Sequence, residues 1–458
     1  MKELAELFAE ADVLVNRSIL DLDRGNLDLK ELEHRILEFV NRVGALMVDE
    51  VVQGVADPVT ENSVWVEGQK AVYKGDTALS FINRFGSIVK RQRRGYRIEG
   101  EEGRWHPLDE KLGVHLCCGY SPLMTYLLSF FGSGESFDPA SKKLSAAVGI
   151  PISATAVQRN TESVGNKLEN RPLRSIEAKR QNTPSDLMIV EIDGTTSPQI
   201  KEIEGITGRE SLKQPTEYKE CNVVVIEKLA KKTTEEKQMR YEVQDRWTGA
   251  MYGKRASFEG YVHEAGMRMG QLNATLVVFI ADGAKHNWEI QMDNFHDAIQ
   301  ILDVYHALEH LGDFCELFEN KLHGKKQFGR WRKMMLAGDT LQLLHEMKER
   351  RKNLSNGDEG QKHINYFLNN VDRMAYDTYR AMGFPIGSGL VEGSCKLVVG
   401  KRFKGNGMRW KLDDNKAVLK TRLAELNDEL EAVFTKKSRK YSFVEPENSL
   451  CQPELAHA

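Results

Sequence analysis

Two short runs restrict the fold most: DLMIVEID at residues 186–193 and TLVVFIAD at residues 275–282, each rich in Val, Ile and Leu and each followed at once by glycine. Runs of this length and composition read as buried strands. ECNVVVIEK at residues 220–228 is a third such run, and RYEVQDRWTGAMY alternates after the charged turn KKTTEEKQ. A helical pattern from Phe258 to Gly270 precedes the TLVVFIAD strand. Strand, hairpin, strand, helix, strand is a mixed sheet with a helical crossover, the order expected of an RNase H-like core.

In that reading Asp193 and Asp282 each end a strand, at the sheet edge where crossover folds bind ligands. Two carboxylates brought together repel unless a cation lies between them, which points to a hard metal site. A lone Asp-Gly after a strand is ordinarily just a turn; two in matching contexts carry more weight.

Beyond Ile301 the pattern turns helical, with stretches near 306–322, 328–336, 339–353 and 360–382 that read as an insertion. The segment PIGSGLVEGSCKLVVGKRFKGNGMRW follows it. Gly387, Ser388 and Gly389 make a close-approach loop, Ser388 caps a helix, and Glu392 sits in its first turn. Lys396 lies one turn on, and Lys401, Arg402, Lys404 and Arg409, with Trp410 closing the block, set a basic surface beside the acid. An acid among cations suits a metal site that also grips DNA backbone. The bland alternative is a glutamate favoured at a helix start by the dipole.

Upstream, Leu29, Leu32, Ile36, Phe39, Val43 and Leu46 form a seam of nearly three heptads, able to pair two subunits or to dock on the same chain. Residues 52–135 mix strand-like pieces such as SVWV at 63–66 with the basic run Lys90, Arg91, Arg93, Arg94 and Arg97, where Tyr96 is interleaved; the run suits a segment lying along phosphates. Residues 136–165 read helix, break, helix, interrupted at Gly149 and Pro151, with Ser153 as N-cap. In a helix-turn-helix the second helix would offer Thr155, Gln158, Arg159 and Glu162 to a groove.

A chain of 458 residues has room for several such units. The expected order is a mainly helical and basic N-terminal region, 1–135, for oligomerisation and DNA contact, then a helix-turn-helix-like segment, 136–180. The α/β catalytic core would take 181–305 and 383–430 around a large all-α insertion, 306–382, and 431–458 would be a flexible basic and polar tail. The net charge of −3 does not announce a nucleic-acid binder, so the local clusters make that case. Six cysteines without CxxC or CxH spacing argue against a zinc ribbon and a disulfide framework, and the adjacent Cys117 and Cys118 read as ordinary buried thiols. No apolar run approaches membrane-spanning length and the N-terminus is acidic and amphipathic, so a cytoplasmic location and no membrane partner are expected.

VEIDGT at 190–195, FIADGA at 279–284, LDVYHALEHL at 302–311 and FPIGSGLVEGSCKLVVGKRFKGNGMRW at 384–410 resemble the catalytic core of bacterial insertion-sequence transposases of the DD-E type, in the Mutator-like branch that carries a helical insertion before the glutamate. The resemblance spans roughly residues 105–430. It implies that Asp193, Asp282 and Glu392 hold two Mg2+ or Mn2+ ions for DNA cleavage at transposon ends and strand transfer to target DNA. It also implies a supporting role for Asp303 and His306, because members of this branch carry an Asp or Cys three residues before a His, just after the strand that follows the second Asp. The implied partners are double-stranded DNA, as terminal repeats and target, and further copies of the chain in a dimer or larger assembly. Some relatives carry a cysteine-bearing, zinc-ribbon-like stretch upstream of the PLDE segment, whereas KRQRRGYRIEGEEGRWHPLDE here has no cysteine. The rival readings are a catalytically inactive, transposase-derived DNA-binding protein and a magnesium-dependent phosphohydrolase of small molecules.

Overall fold

Asp28 accepts a hydrogen bond from the Glu31 amide (2.8 Å) and so starts the second of two N-terminal helices, α1 (Lys2–Asp23) and α2 (Leu29–Gly54). The computed structural model describes residues 2–114, 118–168, 181–206, 208–233, 239–434 and 439–443. The chain divides into two units, residues 1–167 with 430–458, and residues 168–429. Among the described residues no helix is long and apolar enough to cross a membrane.

In the first unit α1 and α2 are antiparallel, stitched by Arg35–Asp21 (3.2 Å) and Arg42–Glu10 (2.8 Å). Strands β1 (Ser63–Val66), β2 (Gln69–Ile82) and β3 (Ile88–Ile98) form an antiparallel sheet, and Tyr441–Ser442 pairs with the free edge of β1. Val64, Val66, Ala71, Tyr96 and Trp105 fill the core of one end of this sheet. The region expected to be mainly helical is therefore sheet in its middle: alternating residues such as Val64 and Val66 bury one face, which a helix would scatter. The tail expected to be flexible is also partly tied down. Arg439 bonds Glu101 and its amide donates to Glu110 (2.9 Å), which seats the two-residue strand on β1; residues 435–438 and 444–458 lie outside the described residues. Cys118, expected to be buried, is exposed, and Cys117 lies outside the described residues.

After α3 (Pro107–Leu112), three helices close the unit: α4 (Pro122–Gly134), α5 (Phe137–Val148) and α6 (Ala154–Lys167), around Met124, Leu128, Leu144 and Val157. Gly149 ends α5 in the left-handed region (φ 72°), and Ser153 Oγ accepts from the Ala156 amide (3.1 Å) at the start of α6. The two helices of the helix-turn-helix reading thus belong to the N-terminal unit and pack on α4; residues 169–180 of that segment lie outside the described residues.

The second unit is built on a five-stranded sheet of order β6-β5-β4-β7-β8. Strands β4 (Leu187–Ile200), β5 (Thr216–Thr233) and β6 (Met239–Tyr252) are antiparallel neighbours. Helix α7 (Arg255–Arg268) leads to β7 (Val277–Ala281), which is parallel to β4, and α8 (Lys285–Asn294) leads to β8 (Ile299–Leu302), parallel to β7. Residue patterns alone did not indicate α8 or β8; β8 is four residues long and only its last two are buried. Five helices follow: α9 (Val304–Glu316), α10 (Lys321–Leu336), α11 (Thr340–Arg350), α12 (Gly357–Asn370) and α13 (Tyr376–Ala381). Phe314, Trp331, Leu343 and Phe367 from these helices share one continuous core with Val278 and Ile301 of the sheet, so the insertion is part of the same folding unit. Helices α14 (Gly389–Cys395) and α15 (Leu412–Leu426) complete it.

Gly132 marks the tightest helix approach in the first unit: a Cβ there would stand 2.1 Å from Thr161 Oγ1 and 2.8 Å from Val157 Cγ1. Gly132→Ala is expected to destabilise the unit by about 1–3 kcal/mol through overpacking, whereas Gly134→Ala, which meets nothing within 4 Å, should be neutral or better. Urea denaturation of the two variants side by side checks this.

Candidate active site

The parallel registers set the acids. Glu191 pairs with Ile280 and Ala281 with Leu302; continuing these ladders brings Asp193 level with Asp282, and Asp282 level with Asp303, at the carboxyl edge of β4, β7 and β8. Asp193 does not end its strand, as the sequence had suggested. The ladder with β5 continues unbroken to Ile200, and Gly194 remains in it; only the parallel half stops at this level. Thr195, Ser197 and Gln199 continue the strand because β5 supplies backbone partners on its other edge.

Asp193 is partly buried. Its Oδ1 accepts from the Gly194 amide (2.7 Å) and its Oδ2 from the Cys395 thiol (3.7 Å). Burial raises its carboxyl above the ordinary value and the charge of Asp282 adds to the rise, so the two aspartates lie close enough to repel. Asp282 Oδ1 accepts from the Ala284 amide (2.9 Å) and from Asn287 Nδ2 (2.8 Å), which fixes the carboxylate at the start of α8. Gly283 holds φ 89°, and a Cβ there would meet Leu302 and Tyr366, so only glycine suits this turn. Tyr366 of α12 donates to the Asp282 carbonyl (2.8 Å) and braces the turn from the insertion side.

Asp303 is fully buried. Its Oδ1 accepts from the amides of Tyr305 (3.0 Å) and Ser388 (3.1 Å), and its Oδ2 from Ser388 Oγ (2.6 Å) and His306 Nδ1 (2.5 Å). With Val304 N donating to Ile386 O (2.9 Å), these bonds strap the loop before α14 to the end of β8. The Asp303 hydrogen bond pushes His306 up to about 9 against the opposing effect of burial, so this imidazole is a cation at neutral pH. Its charge also acts on Asp193. Both Asp303 oxygens are thus buried and taken up by donors of the chain itself.

Ser388 stands at the N-cap position of α14, but its hydroxyl is committed to Asp303 and does not cap. The cap comes instead from Glu191, two residues before Asp193, whose buried Oε2 accepts from the Val391 amide (2.8 Å). Burial, with the charges of Glu227 and Asp303, pushes Glu191 up to about 8 while the Val391 amide opposes the rise. The sequence reading missed this residue; its signal was an acid in the middle of an otherwise continuous apolar run.

Glu392 is partly exposed and pairs with Lys396 (3.5 Å). Cys395, one turn beyond it on the same helix face, is the residue that touches Asp193. Burial and the Asp193 charge push that thiol upward, so it remains protonated. Among the described residues no three His, Cys, Asp or Glu side chains are gathered so as to hold a metal ion. The structure thus brings Asp193 and Asp282 together and leaves Glu392 a helical turn away. Beyond α14 the helix widens into a π-turn, Lys396–Gly400, and the buried Arg422 donates to the carbonyls of Leu397 (2.7 Å) and Val398 (3.2 Å) there.

The cations expected to touch DNA divide sharply. Lys396 and Lys401 are exposed, and the exposed Lys404 reaches Thr195 Oγ1 (2.7 Å). Arg402 is fully buried against Phe403 and Trp410, and Trp410 is itself buried where its backbone bridges Gln199 at the end of β4; neither side chain can meet a phosphate. Arg409 donates to the carbonyls of Leu212 and Gln214 (both 2.9 Å) and holds that loop. In the first unit Arg91 donates to the Val52 carbonyl, Arg93 pairs with Asp109, and Arg94 lies 4.0 Å over the Tyr73 ring and donates to Tyr96 (2.9 Å). Lys90 and Arg97 are exposed. On α6, Gln158 donates to Glu162 (2.8 Å), while Thr155 and Arg159 are exposed.

No protein-family profile matches this chain, and no curated protein matches it. Among solved structures it is similar to the Drosophila P element transposase strand transfer complex, at 10% identity and a TM-score of 0.26, over 68% of this chain and 80% of that chain.

The Asp303–His306 pair predicts a titration. A histidine raised above its unfolded value stabilises the fold fully below about pH 6.5 and loses that contribution as pH rises through about 9. NMR of the imidazoles should show His306 still protonated at pH 8. Asp303→Asn should drop it to the ordinary range or below, since burial then dominates, and should flatten the decline in thermal stability between pH 6.5 and 9. An unshifted His306 in the wild-type chain would refute the charged pair.

Proposed function

We propose that the second unit is an RNase H-like catalytic core and that the protein is a metal-dependent DNA transposase, of the DD-E type found in bacterial insertion sequences of the Mutator-like branch. The observation that carries this is the sheet: numbered from β4, its strands run 3-2-1-4-5, antiparallel then parallel, with Asp193 and Asp282 level at the parallel edge. The helical block between β8 and the glutamate helix is the second support, since this branch places its insertion there.

The donor set fits a hard cation. Asp193 and Asp282 are oxygen ligands whose mutual repulsion a cation would relieve. Glu392 needs only to leave an exposed ion pair, an interaction worth about 0–1 kcal/mol, to turn toward Asp193 from one helical turn away. Two Mg2+ or Mn2+ ions, when bound, supply an activated water or DNA 3′-hydroxyl and steady the leaving oxygen. The chain's own groups do the rest. Asp193, Asp282 and Glu392 hold the site. Asp303, Ser388 and Glu191 fix the loop and helix that present Glu392, and the His306 cation offsets the carboxylate charge. Lys396, Lys401 and Lys404 form a basic margin for the phosphate backbone.

The Glu392–Lys396 ion pair favours a second reading, a catalytically inactive, transposase-derived DNA-binding protein. A nicking assay separates the two. With Mg2+ or Mn2+, duplex DNA taken from the two flanks of the gene should be cut at inverted repeats within it, and EDTA should stop the cutting. Glu392→Gln should keep DNA affinity yet lose cleavage by more than the roughly 10- to 100-fold that removal of an outer-shell partner costs. Binding without cutting in the wild-type chain supports the inactive reading.

The basic margin predicts a salt dependence. Replacing Lys396, Lys401 and Lys404 together by Ala should lower the slope of log affinity against log salt by about 2–3, whereas Arg402→Met should leave the slope unchanged. Equal slopes for the triple variant and the wild-type chain would place the DNA elsewhere.

A further inference from the structure

Two imidazoles of the insertion meet with no acid between them. The Nδ1 atoms of His310 on α9 and His363 on α12 lie 3.0 Å apart, and among the described residues no carboxylate bonds to either ring. His363 is buried and His310 half-buried. Such a contact needs one nitrogen with a proton and one without. A neutral pair meets that condition, and so does a pair carrying one charge. When both rings are protonated, two N–H groups face each other and two cations share a partly buried place, so the contact opens.

The surroundings keep His310 neutral. Burial, the facing His363 and the His306 cation one turn earlier lower it below the ordinary histidine value, and the charges of Asp313 and Asp282 oppose them. On α12 the charged neighbours Glu359 and Lys362 are bonded to each other (2.6 Å), and Tyr366 is pushed up by burial and keeps its proton. A histidine lowered in the fold costs stability as pH falls below about 6.5, the opposite side of neutrality from the loss at His306. The other face of His310 leads to the acids. Its ring stacks on Tyr366, with centroids 3.7 Å apart and planes 20° from parallel. Tyr366 in turn donates to the Asp282 carbonyl (2.8 Å) and closes over Gly283, where an added Cβ would stand 2.9 Å from its ring. His363, His310 and Tyr366 thus form an unbroken line of contacts from the insertion to the turn that holds Asp282.

We propose that His310 and His363 are positioning residues for Asp282: they hold Tyr366 on the turn while the pair carries fewer than two charges and release it when both rings are protonated, so the insertion sets the turn according to pH. Tyr366 is fixed from its far side as well, since its carbonyl accepts from Asn370 Nδ2 (2.9 Å) and Asn370 Oδ1 accepts from Trp288 Nε1 (3.1 Å) of α8. The stack on His310 is the one contact in this line that a proton can weaken. The relay stands on these contacts alone; its bearing on catalysis rests on the reading of Asp282 as a metal ligand.

The test is amide hydrogen exchange of residues 282–287 in the full-length chain, corrected for the intrinsic effect of pH; this turn holds the Ala284 and Asn287 amides in hydrogen bonds. Between pH 7 and pH 5 wild-type protection should fall by roughly five- to tenfold, the worth of one intramolecular hydrogen bond. His306 stays a cation across that range and is not the source. His310→Phe keeps a flat ring against Tyr366 and has no proton to gain, so its turn should stay protected at both pH values, whereas His310→Ala should leave it unprotected at both. Affinity for Mn2+ at pH 7, read by electron paramagnetic resonance, should be alike in the wild-type chain and His310→Phe and weaker in His310→Ala. Wild-type protection that does not change between pH 7 and pH 5 overturns the proposal, and so does an equal fall in His310→Phe. The expected exchange pattern in a chain that binds no Mn2+ upholds the relay and overturns the metal reading alone.

Discussion

The arrangement at the sheet edge depends on one buried carboxylate. Asp303 accepts four hydrogen bonds, from two amides, a hydroxyl and an imidazole, and has no contact with solvent. A carboxylate stays charged in such a place only when its oxygens are fully occupied by donors, and the His306 proton supplies the balancing charge. Because two of the four donors come from Ser388, the end of β8 and the loop before the glutamate helix are fixed to each other. Breaking any one bond leaves a buried charge short of a donor, so the strap holds as a unit.

The same economy appears at the start of α14. A helix exposes unpaired amides at its first turn, and these are met here by Glu191 reaching across from β4 rather than by a local cap. Glu191 and Asp193 are two residues apart and share a face of the strand, so one stretch of β4 carries both the residue that anchors the glutamate helix and the residue that faces Asp282. Position is thereby transmitted through the strand: a shift of α14 along the sheet would move against Glu191, and the antiparallel ladder with β5 resists any movement of β4 itself.

Much of this was legible in the residues. The apolar runs ending in Asp-Gly gave β4 and β7, the 3.6-residue pattern gave most of the insertion, and Gly149 with Ser153 marked the break between α5 and α6. What escaped has physical causes. β8 is too short to show a period, and β4 runs past Asp193 because pairing with β5 continues where pairing with β7 stops, a tertiary fact that no local signal carries. Glu191 escaped as an anchor because its partner lies 200 residues away, and the resemblance that pointed to Asp303 and His306 carried no sign of the Ser388 contact 85 residues on. The N-terminal sheet was hidden by a basic run whose arginines spend their charge inside the unit, on the Val52 carbonyl, Asp109 and the Tyr73 ring.

A similar division separates lysine from arginine around the glutamate block. Guanidinium groups are planar and weakly hydrated, so Arg402 can lie between Phe403 and Trp410, Arg422 can occupy the carbonyls opened by the π-turn, and Arg409 can clasp two loop carbonyls. The ammonium groups of Lys396 and Lys401 stay in water, where strong hydration favours them. Counting cations in the glutamate block therefore overstates the surface charge, since Arg402 is buried and Arg409 is held by two carbonyls. The same reasoning explains Glu392: beside Asp193 and Asp282 a third carboxylate would add repulsion in a partly buried site, while Lys396 offers it an opposite charge in solvent one turn along its own helix. The ion pair is where electrostatics places this side chain.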